Sequence, residues 1–109
     1  MPGNDNGSGW LGSLAALDRI VHEPGRLAIL AHLSVVVKAD FLYIQRQTGM
    51  TGGNLSSHIA KLEEARYIAV EKTFEGKIPR TLLRLTDRGR DAFRSYRQAI
   101  IHALTGLPE

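Results

Sequence analysis

The chain has 109 residues, 14 Lys and Arg against 11 Asp and Glu for a formal net charge of +3, and no cysteine. A chain of this length supports one small core and leaves no room for a separate effector-binding domain. The missing thiols exclude disulfides, zinc-finger sites and thiol redox sensing. No stretch approaches the roughly 18 apolar residues a bilayer span needs, and the N-terminus lacks the basic-then-apolar order of a secretion signal, so the expected location is the cytoplasm.

Residues 1–9 hold three glycines, two asparagines, an aspartate and a serine. Such polar composition predicts a disordered tail over residues 1–12, followed by one domain over residues 13–105. A first helix is expected after Ser13 as N-cap, with Leu14, Leu17 and Val21 as its apolar stripe. Pro24 marks a second start, since proline is tolerated in a first helical turn, and Leu27, Ile29, Leu30 and Leu33 supply its core groups. Val35, Val36 and Val37 are too β-branched to favour further helix and are expected to form a short strand that pairs with the later hairpin.

Asp40 can cap a third helix that carries Phe41, Leu42, Ile44 and Gln45 and stops at Thr48 and Gly49, a natural turn residue. Thr51 then offers a new N-cap, and Leu55, Ile59 and Leu62 recur at helical spacing on one buried stripe. The remaining face is assigned Asn54, Ser57, His58 and Lys61, short or flexible hydrogen-bonding groups of the kind a helix needs in order to read a DNA major groove. Gly52 and Gly53 in the first turn, where glycine costs about 1 kcal/mol relative to alanine, suggest close approach of the backbone to a partner such as a phosphate strand.

A polar helix face alone is also the ordinary solvated surface of any small helical protein. The next segment shifts the balance. Residues 67–74 and 78–85 read as two strands joined at Glu75, Gly76 and Lys77, with Leu83 and Leu85 on one side of the pleat. Lys72, Lys77, Arg80 and Arg84 sit on its exposed positions and tip, a placement that phosphate contact explains and core packing does not. The order helix, tight turn, helix, basic hairpin describes an α+β, mainly α, winged helix-turn-helix, so double-stranded DNA is the expected partner. The charge distribution agrees. Residues 66–97 hold nine Lys and Arg against four Asp and Glu, and the rest of the chain is slightly acidic.

The last helix is expected from Asp87 to Leu104, capped by Thr86. Phe93, Ile100, Leu104 and Leu107 line one face and Ala92, Tyr96, Ala99 and Ala103 a neighbouring one, an arc wider than one small core requires. The surplus predicts a dimer interface made of Phe93, Tyr96, Ala99, Ile100, Ala103 and Leu104 together with Leu14 and Leu17 of the first helix.

The run from Gly49 to Ile68 resembles the recognition helix and wing entry of small MarR-like and ArsR-like winged-helix transcriptional regulators. Leu85-Thr86-Asp87-Arg88-Gly89 resembles the L-T-x-x-G junction that joins the wing to the last helix in such proteins, and the likeness extends over residues 14–104. It implies a homodimeric regulator, a repressor or an activator, on a pseudo-palindromic operator. Thr51, Gly52, Gly53, Asn54, Ser57, His58 and Lys61 would lie at the major groove and Lys72, Lys77 and Arg80 on flanking backbone. A small-molecule effector, as some MarR-like proteins bind, is compatible with this but has no identifiable signature. One position departs from the pattern: Arg66 stands before Tyr67 where such families usually place glycine, and a left-handed backbone there costs about 1 kcal/mol.

Enzyme signatures are absent, with no P-loop, dinucleotide-binding glycine pattern or nucleophile elbow. Glu63 and Glu64 are adjacent on a helix and point in different directions, unsuited to paired-carboxylate chemistry. His22, His32, His58 and His102 are scattered, so neither a metal site nor a cofactor is expected. The alternative reading is a winged helix used as a protein-interaction module in a larger assembly.

Overall fold

The computed structural model describes Gly12 and residues 17–108. Its elements are α1 (Pro24–Leu33), β1 (Ala39–Asp40), α2 (Phe41–Thr48), α3 (Gly52–Glu64), β2 (Ile68–Glu75), β3 (Ile78–Leu85) and α4 (Asp87–Thr105). The three strands form an antiparallel sheet in the order β1-β3-β2. This is the winged helix-turn-helix that the sequence pattern predicts.

Local capping sets most of the boundaries. Glu23 accepts from the Arg26 backbone N–H at the start of α1, where Pro24 occupies the first turn. Asp40 Oδ1 accepts from the Leu42 N–H at 2.7 Å to open α2, and Gly49 closes that helix in the left-handed region at φ 72°. Thr51 caps α3 through the Asn54 N–H. Gly76 at φ 64° is the only positive-φ residue of the β2–β3 turn, so Gly76 and Lys77 make the two-residue II′ connection that suits strand twist.

Two expectations fail. Val35, Val36 and Val37 are not a strand but an exposed turn, and the strand pairing with β3 is the dipeptide Ala39–Asp40, opposite Leu83 and Leu82. Ala39 is small enough to be buried there, whereas three valines would have had to bury one face each. The stretch from Leu17 to Glu23 is turn rather than helix, because Asp18 Oδ1 takes the N–H groups of Ile20 and Val21 that a continuing helix would need. Ser13, Leu14 and the tail expected before Gly12 lie outside the described residues.

Leu17, Val21, Ile29, Leu30, Leu33, Ile44, Leu55, Ile59, Leu62, Ile68, Leu83, Leu85 and Tyr96 form one apolar core. Each large side chain there contributes about 1.5–3 kcal/mol of burial. The result seats α3 on α1 and β2 with Leu55, Ile59 and Leu62 buried, and orients its opposite face outward.

Candidate nucleic-acid interface

With Leu55, Ile59 and Leu62 buried, the helical period turns Gly53, Asn54, Ser57, Ala60, Lys61 and Glu64 to solvent. Thr51 is exposed as well, so the capped N-terminal turn of α3 is open. An added Cβ at Gly53 would meet nothing within 4 Å. Packing inside the chain therefore does not require glycine at that position.

His58 does not belong to this face. Its side chain is only 14% exposed and lies against the start of α1, where a Cβ on Gly25 would come within 2.7 Å of His58 Nε2. Arg26 Nη1 lies 3.2 Å from His58 Nδ1. Glu23 Oε1 lies 3.7 Å from the same nitrogen, so the imidazole sits between the Arg26 guanidinium and the Glu23 carboxylate at the start of α1. The signal was present in the sequence: His58 is one helical turn from both Leu55 and Leu62, which places it on the flank of the buried stripe.

The hairpin has two unlike faces. Strand alternation puts Ile68, Val70, Lys72 and Phe74 of β2 with Pro79, Thr81, Leu83 and Leu85 of β3 on the front, the side packed on the core. Lys72, Val70 and Thr81 share a groove with Phe41, Ser56, Ile59, Ala60 and Glu63, so Lys72 stands directly beside α3. The back carries Glu71, Thr73, Glu75, Ile78, Arg80, Leu82 and Arg84. There Arg80 bridges Asp40 Oδ2 at 2.6 Å and Glu75 Oε2 at 2.5 Å, and Lys38 pairs with Glu71 at 2.9 Å. Arg80, expected on DNA, is thus held by two carboxylates and ties the wing to the start of α2. Its hydrogen bond holds the Asp40 carboxyl below its ordinary range. Lys77 is exposed at the turn.

Residues 26–104 match the winged helix DNA-binding domain family. The chain belongs to this family. An uncharacterized protein of Methanocaldococcus jannaschii is 33% identical over 79 residues, 72% of this chain and 85% of that protein. The solved structure of a transcriptional regulator homologue from Pyrococcus horikoshii superposes with a TM-score of 0.84 at 30% identity, covering 90% of this chain and 99% of that one. The PcaV transcriptional regulator from Streptomyces coelicolor, solved with its natural ligand, reaches a TM-score of 0.67 at 20% identity over 91% of this chain and 72% of that one. At that identity the likeness is one of fold. These comparisons support a winged-helix DNA-binding regulator.

The corner that carries the wing of this winged helix is built from backbone. Two residues past the end of α3, Arg66 has φ 65°, and the Arg66 and Tyr67 N–H groups return to the Glu63 and Leu62 carbonyls at 2.9 Å each. This is a Schellman motif with arginine in the glycine position. Thr86 locks it to α4, donating from Oγ1 to the Arg66 carbonyl at 2.6 Å and accepting from the Gly89 N–H at 3.0 Å. A Cβ on Gly89 would fall 1.9 Å from the Tyr67 carbonyl oxygen, which explains the glycine of the L-T-x-x-G junction. The Tyr67 hydroxyl donates to Asp18 Oδ2. Burial, followed by this hydrogen bond, pushes its pKa up to about 12.

The predicted dimer residues divide. Tyr96 is only 7% exposed; its hydroxyl lies 2.7 Å from His22 Nδ1, so it is an internal group of this chain. Leu17 is in the core, Ala103 is buried, and Phe93, Ala99 and Ile100 pack partly against the core. Leu104 stays exposed, with Ile101 and Leu107, which had not been singled out as interface, on the same helix end. Among the described residues no helix is long and apolar enough to cross a membrane, and no group of three or more metal-ligating side chains gathers.

Proposed function

We propose that this winged helix is a sequence-specific double-stranded-DNA-binding transcriptional repressor that acts as a homodimer on a pseudo-palindromic operator. The observation that carries the reading is the shared groove that sets Lys72 of the wing beside the Ser56, Ala60 and Glu63 edge of α3, next to its outward face, so that one duplex can meet both. Asn54 and Ser57 reach base edges, and Lys61, Lys72 and Lys77 contact phosphates. Thr51, Gly52 and Gly53 let the helix start approach the backbone closely. His58 and Arg80 act from behind, the first by seating α3 on α1 and the second by bracing the wing on Asp40.

Dimerisation falls to the exposed apolar residues at and just past the end of α4, Ile101, Leu104 and Leu107. An effector ligand belongs to the same reading, since PcaV is solved in complex with its natural ligand. The test is anisotropy titration of duplexes enriched from a random pool. Asn54→Ala relaxes sequence preference, whereas Lys77→Ala weakens all sequences alike and lowers the salt slope by about one charge. No binding at low salt, or identical behaviour of the two variants, contradicts the assignment; a monomeric mass in sedimentation contradicts the homodimer.

A further inference from the structure

Phe74 is 68% exposed near the tip of the hairpin, an unusual place for a large aromatic side chain that packs on nothing of its own core. Its cross-strand partner is Pro79, also exposed, and both lie on the front of the wing in line with Lys72. The turn that joins their strands presents Lys77. The front face of the hairpin contains no carboxylate, whereas the back holds Glu71 and Glu75. An apolar pair on the same side as α3 therefore stands between Lys72 on that face and Lys77 at the turn.

We propose that Phe74, backed by Pro79, is a wedge that enters the minor groove of the bound duplex and partly unstacks one base step, bending the DNA. This rests on the DNA-binding reading above. The cations on either side attract the sugar-phosphate walls of the groove, and the ring replaces stacking that the step loses. A two-stranded ribbon that ends in a two-residue turn is narrow enough to offer an apolar tip to a groove about 6 Å wide. The charges argue against a protein occupant: Ile78, the other exposed apolar residue of the tip, points to the opposite face, so the two do not combine into one patch. Pro79 lacks an N–H and has few conformations, which stiffens the platform beneath the ring.

The wedge predicts that bending and binding are separable. Duplexes of about 30 bp enriched from a random pool by the wild-type protein and labelled at both ends are titrated while energy transfer and anisotropy are read together. Wild type raises energy transfer on binding. Phe74→Ala loses that rise at saturation while its Kd increases no more than about tenfold, and Phe74→Leu, which keeps an apolar wedge, retains most of the rise. Lys77→Ala weakens binding yet bends the DNA fully once bound. Circular dichroism and a thermal melt establish that each variant is folded. Bound duplex that remains straight with wild type, or equal bending by Phe74→Ala, overturns the wedge and leaves DNA binding standing. If no duplex is enriched or bound, the functional reading falls and the wedge with it.

Discussion

Two regions of this winged helix use similar side chains in opposite ways. At the corner joining α3, β2 and α4, Thr86 bridges the Arg66 carbonyl and the Gly89 N–H, Tyr67 reaches Asp18, and the helix end closes on its own carbonyls. On the outward face of α3, the front of the wing and its turn, the cations Lys61, Lys72 and Lys77 form no ion pair among the described residues. Polar groups at the corner are satisfied internally because they hold the wing at a fixed angle. Those on the proposed interface are left available because their partner comes from outside.

The sharpest way to break the comparison is at Gly89. Replacing it with alanine drives a methyl group into the Tyr67 carbonyl, where only backbone movement can relieve the overlap. The expected loss in a urea melt is about 3 kcal/mol or more, in line with severe overpacking. Asn54→Ala, on the interface side, should change stability by no more than about 0.5 kcal/mol.

Next in size is Asp40→Ala, which removes the cap of α2 and the anchor of Arg80 together and should cost about 1–2 kcal/mol by thermal melt. Because Arg80 holds the folded-state pKa of Asp40 below its unfolded value, this contribution is present above the ordinary carboxylate range. It disappears as pH falls through the lowered value. The variant's stability should therefore fall less steeply in acid than that of wild type.

Tyr67 gives the opposite sign. With a folded-state pKa of about 12 against an ordinary 10.0, its neutral form is favoured by burial and by Asp18. Its contribution is complete below pH 10 and fades as pH rises toward 12. Tyr67→Phe should remove that alkaline dependence and cost about 1 kcal/mol at neutral pH. One change at the corner is a gain. Arg66→Gly relieves the left-handed backbone and should stabilise the fold by about 1 kcal/mol, seen as a higher Tm.

Features fixed by neighbours in the chain were legible in the sequence. Asp40, Thr51 and Thr86 cap the helices expected of them, Gly49 and Gly76 make the turns, and Arg66 occupies the left-handed position, because each depends on a few adjacent residues. Features fixed across the fold were not. Arg80 is drawn off the expected interface by Asp40, 40 positions away, and Tyr96 turns inward to His22, 74 positions away. The strand pairing with the central β3 falls to Ala39 and Asp40, opposite Leu83 and Leu82 more than 40 positions away, and not to the valine run. His58 is the one misplacement that helical geometry alone could have prevented.

The most direct test of the central claim compares cations on the two faces of the wing. Lys72 lies on the front beside α3, and Arg84 is exposed on the back. Binding to an enriched duplex is measured over a range of salt concentrations for Lys72→Ala and Arg84→Ala. The account predicts a slope lowered by about one charge for Lys72→Ala and an unchanged slope for Arg84→Ala. Equal losses from the two, or a loss confined to Arg84→Ala, would mean that DNA does not lie between α3 and the front of the wing.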